Sequence, residues 1–124
     1  MLELKLSNLP KTWIFDIDGT LVVHNGYLQP QGDEILPGVT EFFNRIPPED
    51  KVILMTARNE RFRLQLENFL FKNGIRFDKI LYGMPMGERI LVNDRKPSGL
   101  KTAFAVNKDR NSPFDLNITI DETL

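Results

Sequence analysis

Short apolar runs that alternate with helix-spaced apolar residues are the feature of this sequence that most constrains its fold. The runs at 12–15 and 51–55 are typical of strands that are covered on both faces. One face of a helix lies between them, formed by Val39, Phe42, Phe43 and Ile46. Strands that alternate with helices assemble into parallel sheets. We therefore expect an α/β fold, a single Rossmann-like three-layer domain over residues 1–124 with a mostly parallel central sheet.

The other apolar patterns predict one more helix and several short strands. The helix follows Asn59, a good N-cap, and ends before Gly74, a good C′ residue. Its apolar face consists of Phe62, Leu66, Phe69 and Leu70. The further strand predictions are residues 2–6, 79–82, 89–92, 102–106 and 117–120, the last two as edge strands.

Composition limits the classes of function. The 124 residues suffice for one hydrophobic core, and the formal net charge of −1 argues against general nucleic-acid binding and against anionic membranes as partners. The chain has 0 cysteines, which suits a reducing compartment and excludes thiolate metal sites. Its first ten residues lack the apolar core of a secretory signal, and no apolar run is long enough to span a membrane. These observations predict a cytoplasmic protein.

Polar residues follow three of the predicted strands. Asp16 and Asp18 follow the first apolar run, Thr56 follows the second, and Asn93 and Asp94 follow the run at 89–92. The carboxyl ends of parallel strands meet at one edge of the sheet, where α/β proteins bind their ligands. The sequence therefore predicts a site at that edge.

Two kinds of cation chemistry come into question for these carboxylates. An EF-hand calcium loop starting at Asp16 would need glycine at its sixth position and glutamate at its twelfth, where this chain has Leu21 and Tyr27. Magnesium needs only one or two protein carboxylates and takes water and substrate phosphate as its other ligands. A carboxylate can also attack phosphorus and form an aspartyl-phosphate. Asp16 and Asp94 therefore suit Mg²⁺-assisted phosphoryl transfer.

Three segments resemble motifs of the haloacid dehalogenase (HAD) superfamily. They are "DIDGTL" from Asp16, "MTAR" from Met55 and "VNDRK" from Val92, similar to motifs I, II and IV. The resemblance implies a phosphatase in which Asp16 is the nucleophile and a Mg²⁺ ligand. It further implies that Asp18 is the general acid and base and gives the metal its carbonyl oxygen, and that Asp94 also holds the metal. Thr56, with the neighbouring backbone of Ala57 and Arg58, would bind the phosphoryl group.

The family also expects a lysine, motif III, that neutralises the nucleophile and the phosphate. No lysine stands on an obvious helix between Gly74 and Asp94. We expect Lys96 to supply this charge, with Arg89 as the second candidate and Lys79 as a third. Arg58 at the start of the second predicted helix would assist phosphate binding.

The spacing of the motifs leaves no room for a cap domain. The intervals from Asp16 to Thr56 and from Thr56 to Asp94 are used by core helices and strands, apart from the loop at 23–36. The resemblance to capless members of the family implies an enzyme that acts on bulky substrates or covers its site by forming homo-oligomers. The segment from Gly83 to Gly99 also resembles phosphatase-like proteins of polysaccharide and capsule synthesis. A phosphorylated sugar is therefore the expected substrate.

Three alternatives remain open. A phosphatase acting on nucleic-acid ends has a similar capless core, although the near-neutral charge counts against it. A receiver domain has similar length and fold class, but its phosphoacceptor aspartate would stand where this chain has Thr56. A non-catalytic binding module on the same scaffold would have no reason to keep both Asp16 and Asp18.

Overall fold

The computed structural model describes residues 2–124, which form five strands, two α-helices and two 3₁₀ turns. The strands are β1 (Leu2–Leu6), β2 (Thr12–Asp16), β3 (Lys51–Met55), β4 (Lys79–Leu81) and β5 (Leu116–Ile120). The helices are α1 (Val39–Asn44) and α2 (Arg63–Lys72), and the 3₁₀ turns are Gly26–Leu28 and Glu60–Phe62. No helix within residues 2–124 is long and apolar enough to cross a membrane.

All strand pairs are parallel, and they form two small sheets. The first sheet has the order β2–β3–β4, with Thr12 opposite Lys51 and Asp16 opposite Met55. The second sheet pairs β1 with β5. The expected mixed α/β fold with parallel strands is thus confirmed at this level.

The two helices bury the faces that their sequence spacing predicts. Val39, Phe42 and Phe43 of α1 are buried, as are Leu66 and Leu70 of α2. Each such side chain contributes about 1.5–3 kcal/mol when it is fully removed from water. Aromatic contacts reinforce the core beside β2, where the ring of Phe15 packs against Phe42, Phe43 and Phe114 at centroid distances of 6.2, 4.8 and 6.1 Å.

The predicted ends of the second helix are confirmed. The side chain of Asn59 accepts a hydrogen bond from the backbone N–H of Arg61 at 2.9 Å, as an N-cap does, although one 3₁₀ turn precedes the α-helix itself. Gly74 follows the C-cap residue Asn73 and has a φ of +70°, the left-handed conformation that ends many helices.

Two of the strand predictions are wrong. Residues 89–92 and 102–106 form no strand, and the side chains that should have been buried are exposed: Ile90 is 84% and Val92 89% exposed. A short apolar run becomes a strand only when a sheet edge is available to satisfy its backbone groups. The other edge prediction, residues 117–120, is confirmed as part of β5, which pairs with β1.

Candidate active site

The parallel pairing brings the ends of β2 and β3 to one edge of the first sheet, called here the carboxyl edge. Asp16 is the last residue of β2, and Thr56 comes directly after β3. The backbone N–H of Ile17 donates to the Met55 carbonyl at 3.0 Å, and that of Thr56 donates to the Leu81 carbonyl at 3.0 Å. Both polar side chains therefore start from backbone that the sheet fixes in place.

A tight turn follows Asp16 and returns the chain to the carboxyl edge. Gly19 has a φ of +85°, which glycine adopts without the steric cost that a side chain would add, and its N–H donates to the Val22 carbonyl at 2.7 Å. The Thr20 hydroxyl donates to Oδ2 of Asp16 at 3.1 Å. The turn thereby orients the carboxylate of Asp16, which stays partly open to solvent with 33% of its side chain exposed.

Asp18 is held from both of its oxygens by the residues that follow β3. The hydroxyl of the fully buried Thr56 donates to Oδ2 at 2.8 Å. Arg58 donates to Oδ1 through Nε at 3.0 Å and through Nη2 at 2.7 Å. The Thr56 hydroxyl oxygen also accepts from the backbone N–H of Arg58 at 3.0 Å, so that one hydroxyl links the two sides of the site.

Arg58 is bound by a second carboxylate, that of Asp33. Its Nη1 and Nη2 donate to the two oxygens of Asp33 at 3.0 and 2.7 Å. The side chains of Arg58 and Asp33 are 1% and 2% exposed. Burial alone would lower the pKa of Arg58, but the hydrogen bonds to Asp33 and then Asp18, with their negative charges, raise it above its ordinary value. The guanidinium is therefore a permanent cation.

An aromatic ring covers one face of the guanidinium in this ion pair. The ring of Tyr27 lies against the guanidinium of Arg58, with 3.9 Å from its centroid to the guanidinium carbon. Tyr27 in turn contacts the ring of Phe62 edge-on at 5.0 Å. A cation against an aromatic face is stabilised most when water is excluded, as it is here.

Of the basic residues expected to face the phosphate, Arg89 contacts Asp16. Its Nη1 donates to Oδ1 of Asp16 at 2.9 Å, in an ion pair whose two side chains are about one-third exposed. Lys96 lies in an exposed turn, where its backbone N–H donates to the Leu100 carbonyl at 3.0 Å. Lys79 stands in β4 with an exposed side chain.

The strand that should have carried Asp94 to the carboxyl edge is absent, and the segment from 89 to 101 is exposed except at Leu100. The backbone carbonyl of Asp94 accepts from the Thr102 hydroxyl, which also accepts a bond from the Asn93 amide at 3.0 Å. Within residues 2–124, no three acidic, histidine or cysteine side chains are grouped closely enough to hold a metal ion.

The donors at the carboxyl edge fit a magnesium ion by chemistry, although not the full set of ligands that the sequence predicts. Mg²⁺ prefers oxygen ligands and needs only one or two carboxylates besides water and substrate phosphate. The partly exposed carboxylate of Asp16 meets that requirement. The carboxylate of Asp18 is already satisfied by Thr56 and Arg58, so its contribution would come from the main-chain carbonyl.

Comparison with family models, with curated proteins and with solved structures finds no match to this chain.

Three residues of the site were missed by sequence reasoning. Asp33 and Tyr27 come from the 23–36 loop, and Asn111 donates its backbone N–H to the Gly19 carbonyl at 2.9 Å. The side-chain oxygen of Asn111 also accepts from the backbone N–H of His24 at 2.8 Å. The buried charge of Arg58 must be compensated by an acid, and the 23–36 loop offers two neighbouring candidates. Nothing in the sequence distinguishes Asp33 from Glu34 for that role.

Proposed function

We propose that the protein is a magnesium-dependent phosphomonoesterase of the HAD type that works through an aspartyl-phosphate. The observation that carries the proposal is that two neighbouring aspartates differ in exposure and in hydrogen bonding. Asp16 is partly exposed at the carboxyl edge, while Asp18 is held on both oxygens by Thr56 and Arg58. A nucleophile must be accessible to its substrate, and its acid–base partner must be oriented within reach of the proton that it transfers.

The resemblance of the three motifs to the superfamily supports the same proposal. On this proposal the domain is a capless Rossmann-like hydrolase core that works in the cytoplasm. The expected substrate is a phosphorylated sugar from polysaccharide or capsule precursor synthesis, and a second copy of the chain would cover the open site. A phosphatase for nucleic-acid ends is the alternative substrate class.

The chemistry divides into two balanced steps. In the first, a carboxylate oxygen of Asp16 bonds to phosphorus, the bond from phosphorus to the leaving oxygen breaks, and that oxygen takes a proton from the carboxyl of Asp18. In the second, water attacks the phosphorus and gives a proton to Asp18. The bond between phosphorus and Asp16 then breaks, which releases phosphate and restores both side chains.

Charge compensation is the remaining requirement, because an anionic nucleophile must approach an anionic phosphate. A bound Mg²⁺ would supply a Lewis acid that neutralises part of this charge. Asp16, with the main-chain carbonyl of Asp18, would hold it, and Asp94 is the further carboxylate expected as a ligand. From the chain itself, Arg89 is the cation already at Asp16. The backbone N–H of Ala57 also follows Thr56, whereas that of Arg58 already donates to the Thr56 hydroxyl oxygen.

Substitution of Asp16 and substitution of Asp18 should block different steps, which gives the direct test. Asp16→Asn removes the nucleophile, so no covalent phosphate forms. Asp18→Asn keeps the nucleophile but lacks the base, so an aryl phosphate with a good leaving group loads Asp16 and the adduct persists. Intact-mass measurement after an acid quench separates the two results.

The matched control for this experiment is Asp50→Asn. Asp50 is also a buried aspartate, but it accepts from the backbone N–H of Lys11 and from Nε1 of Trp13. These contacts lie where β2 and β3 begin, at the end of the sheet opposite the carboxyl edge. Asp50→Asn should leave turnover intact in protein that remains folded. A phosphorylated Asp16→Asn protein would refute the nucleophile assignment, and a wild-type protein without label or turnover would favour a non-catalytic module.

A further inference from the structure

The buried ion pairs of Arg58 are geometrically unequal. Asp33 meets the two terminal nitrogens with both of its oxygens, a parallel bidentate arrangement that fixes the plane of a guanidinium. Asp18 meets the remaining edge, Nε and Nη2, with the single oxygen Oδ1. The orientation of Arg58 is thus set by Asp33, and Arg58 presents its other edge to Asp18.

Asp33 is itself fixed by the fold of the 23–36 loop. The loop is closed by the N–H of Val23 donating to the Glu34 carbonyl at 3.0 Å, and by the N–H of Leu36 donating to the Leu21 carbonyl at 2.9 Å. Gly26 permits a close backbone approach, since a Cβ there would stand 3.1 Å from the Gly32 carbonyl oxygen. The loop is therefore a rigid support for a buried carboxylate.

We propose that Asp33 is a positioning residue that acts through Arg58 to aim the carboxyl group of Asp18 at the reacting oxygens. This inference rests on the proposed function, in which Asp18 is the general acid and base. Thr56 holds Oδ2 of Asp18 from the end of β3, and the Asp33–Arg58 pair holds Oδ1 from the 23–36 loop. The loop thereby contributes to the proton-transfer step without touching substrate.

The test compares two substrates that differ in their need for a proton. The nitrophenolate group of an aryl phosphate leaves without a proton from an acid, whereas the alkoxide of a simple alkyl phosphate needs one. General acid–base catalysis contributes roughly a hundredfold to ten-thousandfold, and a misaimed acid loses part of it. Asp33→Asn should therefore lower kcat/KM for the alkyl phosphate roughly tenfold or more. It should lower kcat/KM for the aryl phosphate no more than about threefold, because this quantity reports the steps up to the aspartyl-phosphate, which need no acid for that leaving group. The later hydrolysis, in which Asp18 is the base, is common to both substrates.

Two further variants separate positioning from general damage. Asp50→Asn weakens another buried aspartate site and should leave the ratio of the two kcat/KM values unchanged. Tyr27→Leu removes the ring against Arg58 without leaving a buried charge unpaired, so this variant should fold more readily than Asp33→Asn. It should shift the ratio in the same direction as Asp33→Asn, by a smaller factor. If Asp33→Asn does not fold, the Tyr27→Leu ratio decides.

Equal losses of kcat/KM on the two substrates would overturn the positioning role while leaving the phosphatase assignment standing. An unchanged ratio in folded Asp33→Asn protein would do the same. A wild-type protein that hydrolyses neither substrate, with Mg²⁺ present, would overturn both proposals at once.

Discussion

Replacing Arg58 by methionine tests the buried charge cluster without any assumption about activity. The substitution keeps an unbranched apolar stem of similar reach but removes the cation that Asp18 and Asp33 share. Four hydrogen bonds are lost, and the carboxylate of Asp33, 2% exposed, is left without its bidentate partner. The variant therefore contains an uncompensated buried charge.

The size of the loss follows from that burial. Breaking a buried ion pair by removing one partner typically costs about 3–5 kcal/mol. The contact with the Tyr27 ring adds about 1–2 kcal/mol where water is excluded. Since single domains are stable by only about 5–15 kcal/mol, we expect Arg58→Met to lose a large part of the free energy of unfolding.

Urea unfolding followed by circular dichroism measures this loss, with the double variant Arg58→Met/Asp33→Asn as the control. Removing the charge of Asp33 as well should recover part of the lost stability, because the neutral amide is cheaper to bury. A loss below about 1 kcal/mol in the single variant would refute the reasoning, since that is the range of an exposed ion pair. A double variant that is less stable than the single one would also contradict it.

Three further results are expected. Chelation of divalent cations should abolish turnover of an aryl phosphate, and full activity in excess chelator would refute the metal assignment. Arg89→Ala should lower kcat by roughly two decades while Lys96→Ala changes it little, because a direct charged contact in the transition state is worth a few kcal/mol; steady-state kinetics would show the reverse order if Lys96 supplied the charge. Gly38→Ala should destabilise the protein far more than Gly74→Ala in thermal unfolding. Both glycines have positive φ, but of the two only Gly38 would bring its new Cβ against a backbone atom, the Phe114 carbonyl oxygen, and equal losses would show that the clash is relieved.

The parts of the fold that the sequence predicts are those set by local pattern and by parallel pairing. The face of α1 follows from the spacing of Val39, Phe42 and Phe43, and the start of the second helix from the capping side chain of Asn59. The meeting of Asp16 and Thr56 follows from strand direction alone, because parallel strands end at a common edge. No long-range information is needed for any of these.

The parts that escaped depend on contacts between distant segments. Residues 89–92 have the composition of a strand, but whether they pair is decided by the sheet edge that the rest of the chain leaves open. Arg89 reaches Asp16 across 73 positions and Asp33 reaches Arg58 across 25. Loop paths set these separations, and a loop without periodicity gives no sequence signal for where its side chains point.

On the proposed function, the ion pairs at the carboxyl edge give a further reason for a bound metal. Asp18 and Asp33 share the guanidinium of Arg58, and Asp16 is paired with Arg89. Because Arg58 is held by two buried partners, Arg89 is the guanidinium at this edge that can face an incoming phosphate.

Arg89 cannot pair with Asp16 and with an incoming phosphate in its present position. Its Nη1 donates to Oδ1 of Asp16, an oxygen that an attacking carboxylate would need. When phosphate enters, Arg89 should move from Asp16 to the phosphoryl oxygens, and Asp16 would then lose its compensating cation just as it approaches a second anion. A divalent cation at Asp16 resolves this deficit, since it can neutralise both groups together. On the proposed function, activity should therefore depend on a bound divalent cation. Arg89→Ala should tighten the binding of Mg²⁺ to the substrate-free protein, measurable by titration calorimetry, even as it slows turnover.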